Sequence, residues 1–294
     1  MKNFLKISEE NKDFIRELLE SLLRSEEASL VAAESMPALI FFEEASTRTR
    51  LSFERAFSEL EIPFSSVSRK NSSLEKKESI EDSFLNFRSL GYKVIVFRSG
   101  DESLLKKIKK IGGLHFINAG LGVDSHPTQA LLDFLTLLES FGSFEKIQEK
   151  KISIIGDLRH SRVAQSFFRL AKLFNLQVSF VAPEEWKPSW LELSGEITFS
   201  TDKTSVHSAD TLMALRVQKE RHSQEDQKLL ENYIKNYQLN KSDFAKNQFL
   251  LHPGPVNWGV ELHEELKNYS HNLILKQVQN GLRLRKALLV KLLG

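Results

Sequence analysis

Short apolar runs alternate with longer amphipathic segments along the whole chain. Buried strands are predicted from the apolar runs at 38–42, 93–97, 115–118, 151–155, 177–181, 211–215 and 248–251. Helices are predicted from segments of helical periodicity near 9–23, 48–60, 78–90, 126–140, 162–174, 223–237 and 280–293. This alternation is typical of parallel sheets flanked by helices.

The length of the chain, 294 residues, suits two α/β domains better than one. We therefore expect an α/β fold of two domains, each a parallel sheet flanked by helices, with the active site in the cleft between them. The expected first domain is 1–127, completed by the C-terminal helix 280–294, and the expected second domain is 128–279. Because ligands of such folds bind at the carboxyl ends of strands, the residues that follow each strand carry most of the information on function.

Composition narrows the possible functions only slightly. The 41 basic and 39 acidic residues leave a net charge of +2, which indicates no particular class of partner. The basic run 106–110 could indicate binding of nucleic acid, but we expect it to form an exposed face of a helix. The absence of cysteine excludes disulfides, thiolate metal sites and cysteine nucleophiles. With no apolar run of about eighteen residues and no signal-peptide pattern, a cytoplasmic enzyme is expected.

The first strand is followed by a cluster of hydroxyl and guanidinium groups, Ser46-Thr47-Arg48-Thr49, at the start of a helix. Free N–H groups at a helix start, hydroxyl donors and a bidentate arginine together bind an anion. The alternative is a helix N-cap formed by Ser46 or Thr47, with Arg48 merely solvated. A cap needs one hydroxyl only, so the whole cluster favours an anion site.

Further polar motifs stand where other strands end. Arg98 follows one strand, and His126 and Gln129 open the helix after the next, although each alone is typical of a strand-end charge or a capping residue. In the second half, motifs follow three strands, at Gly156–Arg162, Arg216–Arg221 and His252–Pro255. Gly156 alone is not a dinucleotide fingerprint, because the other glycines are missing. Arginines at strand ends in both halves predict small substrates that carry phosphate and carboxylates.

The segment Phe42–Thr49 resembles the phosphate-site signature of the aspartate/ornithine carbamoyltransferase family, F-x-E/K-x-S-T/G-R-T, at every fixed position. The later motifs follow in the family's order: His126-Pro-Thr-Gln129, Gly156-Asp-Leu with Ser161-Arg162, Arg216-Val-Gln-Lys-Glu-Arg221 and His252-Pro-Gly-Pro255. The resemblance covers nearly the whole chain. It implies transfer of a carbamoyl group from carbamoyl phosphate to an amino-acid amine, with no metal, cofactor or covalent intermediate.

Three features favour aspartate over ornithine as the acceptor. Glu44 stands where ornithine enzymes of the family usually carry lysine, and His252–Pro255 lacks their His-Cys-Leu-Pro pattern. Arg216-Val-Gln218 resembles the carboxylate clamp of the aspartate enzymes, which a cationic amine would not need. The implied products are N-carbamoyl-L-aspartate and phosphate, a step of pyrimidine biosynthesis.

The resemblance also implies a role for each matching residue. Carbamoyl phosphate would be bound by Ser46, Thr47, Arg48, Thr49, Arg98, His126, Gln129, Pro253, Gly254 and Pro255. Among them, Arg48, Thr49, Arg98 and His126 are the expected catalytic residues. Aspartate would be bound by Lys76, Arg162, Arg216 and Gln218. Glu44 would bridge to Arg162 and Arg221 and hold the domains closed.

The family's active site borrows a lysine from the neighbouring chain of a homotrimer. The segment Asn71–Ser79 resembles the corresponding loop, S-S-x-x-K-G-E-S/T, with Lys77 in place of its glycine. Without a gap Lys76 is the shared lysine, and a shift of one residue would make it Lys77. Leu121 and Trp258 also depart from the family pattern, where an acidic residue and an arginine are usual, but neither is an expected ligand.

Other functions remain open at this point. One is carbamoyl transfer to a different amino acid, and another is a catalytically silent homologue that serves as an assembly partner. A phosphate-independent binding protein is a third. Silent homologues usually lose the phosphate-loop arginines, whereas Arg48 and Arg98 are present here. An assay of carbamoyl phosphate with aspartate and with ornithine discriminates among these functions.

Overall fold

The computed structural model describes residues 3–24, 36–68, 78–218, 227–245 and 247–294. The chain forms two compact units, which are Met1–Leu132 with Val278–Gly294, and Asp133–Gln277. The first unit is therefore built from both ends of the chain, and the second from one continuous segment. The chain passes between the units within helices α5 (Pro127–Phe141) and α9 (Ile274–Leu293).

The first unit contains a four-stranded parallel sheet of order β2-β1-β3-β4. Its strands are β1 (Ala38–Phe42), β2 (Phe64–Ser68), β3 (Val94–Ser99) and β4 (His115–Leu121). Its own helices are α1 (Lys12–Leu23), α2 (Thr47–Glu59), α3 (Ile80–Ser89) and α4 (Leu104–Ile108). Single strands alternate with helices along the chain, and each crossover helix returns the chain to the end of the sheet at which the previous strand began. Every neighbouring pair of strands is therefore parallel.

Aromatic side chains form much of the core on one face of this sheet. Phe84 packs edge to face on Phe116 and Phe41, with ring centroids 5.2 and 5.6 Å apart, and Phe97 lies 6.3 Å from Phe116. All four rings are fully buried. Edge-to-face pairs add to the free energy gained by burial alone, so this cluster fixes α3 on the sheet.

The second unit contains a five-stranded parallel sheet of order β7-β6-β5-β8-β9. Its strands are β5 (Lys151–Ile155), β6 (Gln177–Val181), β7 (Ile197–Ser200), β8 (Thr211–Ala214) and β9 (Phe249–Leu251). Its own helices are α6 (Phe144–Gln148), α7 (Arg162–Phe174) and α8 (Gln227–Tyr237). The expected fold class, two parallel sheets flanked by helices, is confirmed.

Every strand predicted from an apolar run is present, within three residues of its predicted ends. The strands that the prediction missed, β2 and β7, lie at sheet edges and are only partly buried. An edge strand covers less apolar surface, so its sequence need not be an apolar run. The short helices α4 and α6 were also missed, because five residues are too few to establish a period.

The basic run 106–110 lies in α4 and the turn that follows it. Lys106 and Lys109 are exposed, Ile108 is buried, and Lys107 lies 3.4 Å from the carboxylate of Glu81. This arrangement confirms the interpretation as an exposed helical face. Among the helices of the described residues, none is long and apolar enough to cross a membrane.

Candidate active site

The order of the first sheet brings the ends of β1 and β3 together. The chain winds from β1 to β2 on one side and reaches β3 on the other, which creates the crevice where ligands of doubly wound sheets bind. Phe42 and Arg98 are partners in the strand register, and the N–H of Glu43 donates to the carbonyl of Arg98 at 2.9 Å. The loop that leads into α2 therefore starts beside Arg98.

Helix α2 begins at Thr47, with Ser46 at the N-cap position in an extended conformation. Within the described residues the Ser46 hydroxyl makes no capping hydrogen bond, and the first turn carries no acidic side chain. By contrast, Ser79, Ser143 and Ser161 each cap their helix through the side chain. The structure therefore does not show Ser46 acting as an ordinary side-chain N-cap. The start of α2 retains donors suited to an anion.

Contacts with Ala119 and Glu44 hold Arg98 at the carboxyl end of β3. Its Nη1 donates to the carbonyl of Ala119 at 3.3 Å, and its Nε lies 3.4 Å from the Glu44 carboxylate. Only 13% of the Arg98 side chain is exposed. Glu44 was expected to bridge to Arg162 and Arg221. Arg221 lies outside the described residues, and the Glu44 carboxylate lies beside Arg98.

His126 ends the connection from β4 and starts α5. Its carbonyl accepts hydrogen bonds from the backbone N–H groups of Gln129 and Ala130 at 3.1 and 3.2 Å, and Pro127 occupies the first helical position. His126 is buried, with only 5% of its surface exposed. Leu121, where the family usually has an acidic residue, is fully buried in the sheet core, which explains why an apolar residue is tolerated there.

The second sheet has its own change of winding direction between β5 and β8. Gly156 follows β5 with φ +136°, and a Cβ there would lie 2.8 Å from the carbonyl oxygen of Leu215 and 3.0 Å from its Cβ. No L side chain fits this backbone conformation or this space. Gly156 is thus required for the close approach of two strand ends.

Asp157, fully buried, organises the loops after β5 and β8. One carboxylate oxygen lies 2.8 Å from Nδ1 of His160, and the other accepts the backbone N–H of Gln218 at 3.2 Å. The Gln218 side chain in turn donates to the carbonyl of His160 at 2.6 Å. The buried carboxylate is satisfied by these donors, and they lock the segment around Gln218 to the end of β5.

The arginines of this unit stand at two neighbouring strand ends. Arg162 is the first residue of α7, whose N-cap is the Ser161 hydroxyl, and only 8% of Arg162 is exposed. Arg216 stands two residues after the end of β8 and is half-buried. Since β5 and β8 are adjacent, both guanidinium groups start from the same edge of the sheet.

The His252–Pro255 segment follows β9 and contains a second buried carboxylate contact. Nε2 of His252 lies 3.1 Å from Oε1 of Glu261, and Nδ1 accepts the N–H of Gly254 at 2.8 Å. Gly254 has φ +70°, a conformation that glycine adopts without strain. Trp258, at the other departure from the family pattern, lies beneath the ammonium of Lys267 at 5.1 Å.

Tyr233 on α8 lies near both buried carboxylates. Burial raises the pKa of its hydroxyl well above the ordinary value, and the negative charges of Glu261 and Asp157 raise this pKa further. Its ring stacks on Trp186 at 4.9 Å and on Tyr237 at 5.7 Å. Tyr233 is therefore a neutral packing residue near the two carboxylates.

The expected site residues fall into two sets. The first unit holds Ser46, Thr47, Arg48, Thr49, Arg98, His126 and Gln129 at the carboxyl edge of its sheet. The second holds Arg162, Arg216, Gln218, Pro253, Gly254 and Pro255 at the carboxyl edge of its own. Lys76 and Arg221 lie outside the described residues. Across the described ranges, no group of three or more His, Asp or Glu side chains is arranged to hold a metal ion.

Three residues to which the sequence analysis gave no role are Asp157, Asn257 and Glu261. Their side chains hydrogen-bond to the loops that carry the site residues of the second unit. Asp157 falls within the Gly156–Arg162 motif, whereas Asn257 and Glu261 lie beyond the His252–Pro255 motif. Their positions directly after a strand or a few residues after His252 were visible. Their burial was not, because an acidic residue in a loop is usually solvated.

Comparison with known proteins gives one consistent family. The model described as aspartate/ornithine carbamoyltransferase, carbamoyl-P binding domain, matches residues 2–139, and the Asp/Orn binding domain of the same family matches residues 148–292. The aspartate carbamoyltransferase catalytic subunit of Legionella pneumophila (strain Corby) is 36% identical over 302 residues, which is 100% of both chains. That of Aquifex aeolicus (strain VF5) is 36% identical over 94% of this chain and 95% of its own.

Solved structures share the fold over the full chain. Aspartate transcarbamoylase from Trypanosoma cruzi, in complex with carbamoyl phosphate and aspartate, has a TM-score of 0.86 at 24% identity, covering 100% of this chain and 97% of its own. Ornithine carbamoyltransferase from Thermus thermophilus has a TM-score of 0.85 at 23% identity, covering 100% and 99%. Because enzymes for both acceptors match equally well, the fold does not discriminate between aspartate and ornithine.

The close approach at Gly156 leads to a first prediction. Gly156→Ala should lower the free energy of unfolding by about 2 kcal/mol or more, because the new methyl group meets the Leu215 carbonyl and the backbone is strained. Urea unfolding of wild type and variant measures the change. Gly195→Ala is the matched control in the same unit, since no described heavy atom lies within 4 Å of its Cβ position. Equal stability of the two variants would contradict the requirement for glycine.

Proposed function

The chain belongs to the aspartate/ornithine carbamoyltransferase family, and we propose that it transfers the carbamoyl group of carbamoyl phosphate to the amine of L-aspartate. The observation that carries the choice of aspartate is full-length similarity, at 36% identity, to chains named aspartate carbamoyltransferase catalytic subunit. The products are N-carbamoyl-L-aspartate and phosphate. The phosphate-site and clamp motifs both agree with this reaction.

The phosphate group of carbamoyl phosphate binds at the start of α2 in this proposal. Ser46, Thr47 and Thr49 supply hydroxyl and backbone donors, and Arg48 supplies a guanidinium fork. Arg98 contributes from the neighbouring strand end, where the Glu43–Arg98 backbone hydrogen bond fixes its distance from the loop. A dianion at this point gains from the helix dipole, from oriented donors and from two positive charges.

Catalysis then rests on stabilising the charge that develops on the carbamoyl oxygen. When the amine attacks the carbonyl carbon, electron density moves to that oxygen, and donors already in place lower the barrier. We assign this role to His126, Thr49 and Arg98. The buried state of His126 and Thr49 strengthens such hydrogen bonds, because little water competes for them. Gln129 and the carbonyls of Pro253 and Gly254 hold the carbamoyl NH2, with Pro255 completing that loop.

Aspartate binds through Arg162, Arg216 and Gln218 in the second unit. Two guanidinium groups at one sheet edge suit a dicarboxylate and oppose a cationic side chain such as that of ornithine. The hydrogen bonds of Asp157 to His160 and Gln218 support this assignment, since they fix the segment that carries the clamp. Lys76 from a neighbouring chain completes the aspartate site.

Glu44 has a second state in this proposal. Its contact with Arg98 competes with phosphate for the same guanidinium. Binding of carbamoyl phosphate would release Glu44 to pair with Arg162 and Arg221, which is the closure role that the family resemblance implies. The homotrimer with shared sites and the cytoplasmic location likewise stay predictions.

The reaction itself provides the direct test. Purified protein should release phosphate from carbamoyl phosphate with aspartate at least about 100-fold faster than with ornithine, because the arginine clamp rejects a cation. Product formation is followed by phosphate release and by identification of N-carbamoyl-L-aspartate. Faster turnover with ornithine would establish a different acceptor. No turnover with any amino acid would favour the silent assembly homologue.

The phosphate site is tested by a pair of neighbouring arginines. Arg48→Ala should lower kcat/KM for carbamoyl phosphate by about 10²–10³-fold, the usual cost of losing one charged donor to the transition state. Arg50→Ala is the control, because Arg50 is also exposed on α2 and its Nε lies 3.7 Å from the Glu54 carboxylate. Its activity should stay near wild type. Equal losses in both variants would assign the effect to α2 as a whole.

Shared sites make a prediction about mixed trimers. Arg48→Ala and Lys76→Ala homotrimers should each be nearly inactive, since every site of either lacks one ligand. In a closed ring that mixes the two chains, a chain with intact Arg48 must somewhere meet a neighbour with intact Lys76, which restores one complete site. Dissociating and reassembling the two proteins together should therefore restore partial activity.

The same experiment settles which lysine is shared. If Lys77 is the ligand, Lys76→Ala stays active and the rescue appears with Lys77→Ala instead. Native mass spectrometry checks that mixed trimers form. Mixed trimers without rescue for either lysine variant would show that each site lies within one chain.

A further inference from the structure

Glu261 is a fully buried acidic residue that neither the substrate motifs nor the proposed mechanism uses. Its Oε1 accepts the backbone N–H of Asn257 at 2.6 Å and lies 3.1 Å from Nε2 of His252. A buried carboxylate is retained only where its hydrogen bonds offset the cost of removing it from water. Both partners of this one oxygen belong to the loop between β9 and Glu261, and each leads to a different part of the proposed site.

The first branch runs through His252 to Pro253. Nδ1 of His252 accepts the Gly254 N–H, so the imidazole proton sits on Nε2 and is donated to Glu261. The Gly254 N–H and the Pro253 carbonyl belong to one planar trans peptide, in which they point in opposite directions. Holding the N–H on His252 therefore aims the Pro253 carbonyl away from the imidazole. That carbonyl is a proposed acceptor for the carbamoyl NH2.

The second branch runs through Asn257 to the segment 216–218. Nδ2 of Asn257 donates to the carbonyl of Val217 at 3.2 Å. The N–H of the same peptide, on Gln218, donates to Asp157 at 3.2 Å. The Val217–Gln218 peptide is thus held at both ends, and its plane determines where the flanking Arg216 and Gln218 side chains start.

We propose that Glu261 is a positioning residue that sets, through His252 and Asn257, the orientation of the Pro253 carbonyl and of the Arg216–Gln218 segment together. The inference rests on the proposed function, because it assigns those two groups to the carbamoyl NH2 and to aspartate. The Oε1 atom of Glu261 then links the segment that binds aspartate to the carbonyl that binds the carbamoyl NH2. A displacement of about 1 Å in either group is enough to cost catalysis on the order of 10²-fold.

Two substitutions at this position separate hydrogen bonding from packing. Glu261→Leu keeps an apolar body of similar size but removes the acceptor. Glu261→Gln keeps one oxygen that can accept from both donors, and its amide takes the place of Oε2, which receives no hydrogen bond from any described residue. We expect the leucine variant to lose about 100-fold in kcat/KM for aspartate through both a higher KM and a lower kcat. The glutamine variant should recover most of that loss.

Three further measurements identify the cause. Inhibition by inorganic phosphate should be unchanged in all variants, because its proposed ligands 46–49 and Arg98 lie in the other unit. Asn257→Ala, a change at a half-buried position, should raise KM for aspartate even if the leucine variant fails to fold. Asp243→Asn is the control, a buried acid of the same unit that is paired with Lys203 at 2.7 Å and accepts the backbone N–H of Asn240. Its carboxylate makes no hydrogen bond to the described segments 216–218 or 252–257, so KM and kcat should match wild type.

Nuclear magnetic resonance of ¹⁵N-histidine protein supplies a readout that does not depend on turnover. His252 should show the Nε2–H tautomer in wild type and in Glu261→Gln, and a tautomer mixture in Glu261→Leu. Wild-type kinetics in folded Glu261→Leu or Asn257→Ala protein would overturn the inference. So would a lower kcat with unchanged KM and unchanged tautomer, which reports only a loss of folded protein. Wild type that never carbamoylates aspartate would instead overturn the proposed function.

Discussion

Parallel strands end at one edge of their sheet, and the rest of the candidate site follows from that constraint. In the first unit β2 lies on one side of β1 and β3 lies on the other. The loops that follow β1 and β3 therefore diverge and leave room for a ligand. In the second unit β5 and β8 stand in the same relation. Residues far apart in sequence, such as Arg48 and Arg98 or Arg162 and Arg216, thereby start from common edges. No single motif would create such a concentration of positive charge.

A second requirement, that buried polar groups be hydrogen-bonded, determines how firmly these edges are held. Asp157 and Glu261 lie under loops with no regular secondary structure, where backbone groups lack ladder partners. Each carboxylate receives donors from the loops that carry the proposed ligands. The buried carboxylates of the second unit therefore support the loops at its surface, and Tyr233, whose ring stacks on Trp186, is buried near both of them.

Much of this arrangement could be predicted from the amino-acid sequence. Strand β1 is apolar along its whole length and β5 is buried from Ile152 to Ile155, and a parallel sheet explains both that pattern and the position of Ser46 and Arg98. Edge strands β2 and β7 escaped prediction because most of their side chains are only partly buried. The supporting carboxylates escaped it for a different reason. Burial of an acid depends on which distant loop covers it, and local periodicity contains no information about that.

The division of the first unit between both ends of the chain has a consequence for biosynthesis. The segment Asp133–Gln277 is continuous, so its sheet can close while Val278–Gly294 is still inside the ribosome. The first unit must wait for Val278–Gly294, in which Lys291 pairs with Glu17 and Arg283 donates to the carbonyl of Leu22. The nascent chain thus assembles its acceptor-binding half first. Its phosphate-binding half stays incomplete until Val278–Gly294 has been translated and has left the ribosome, which postpones the appearance of a working enzyme to that moment.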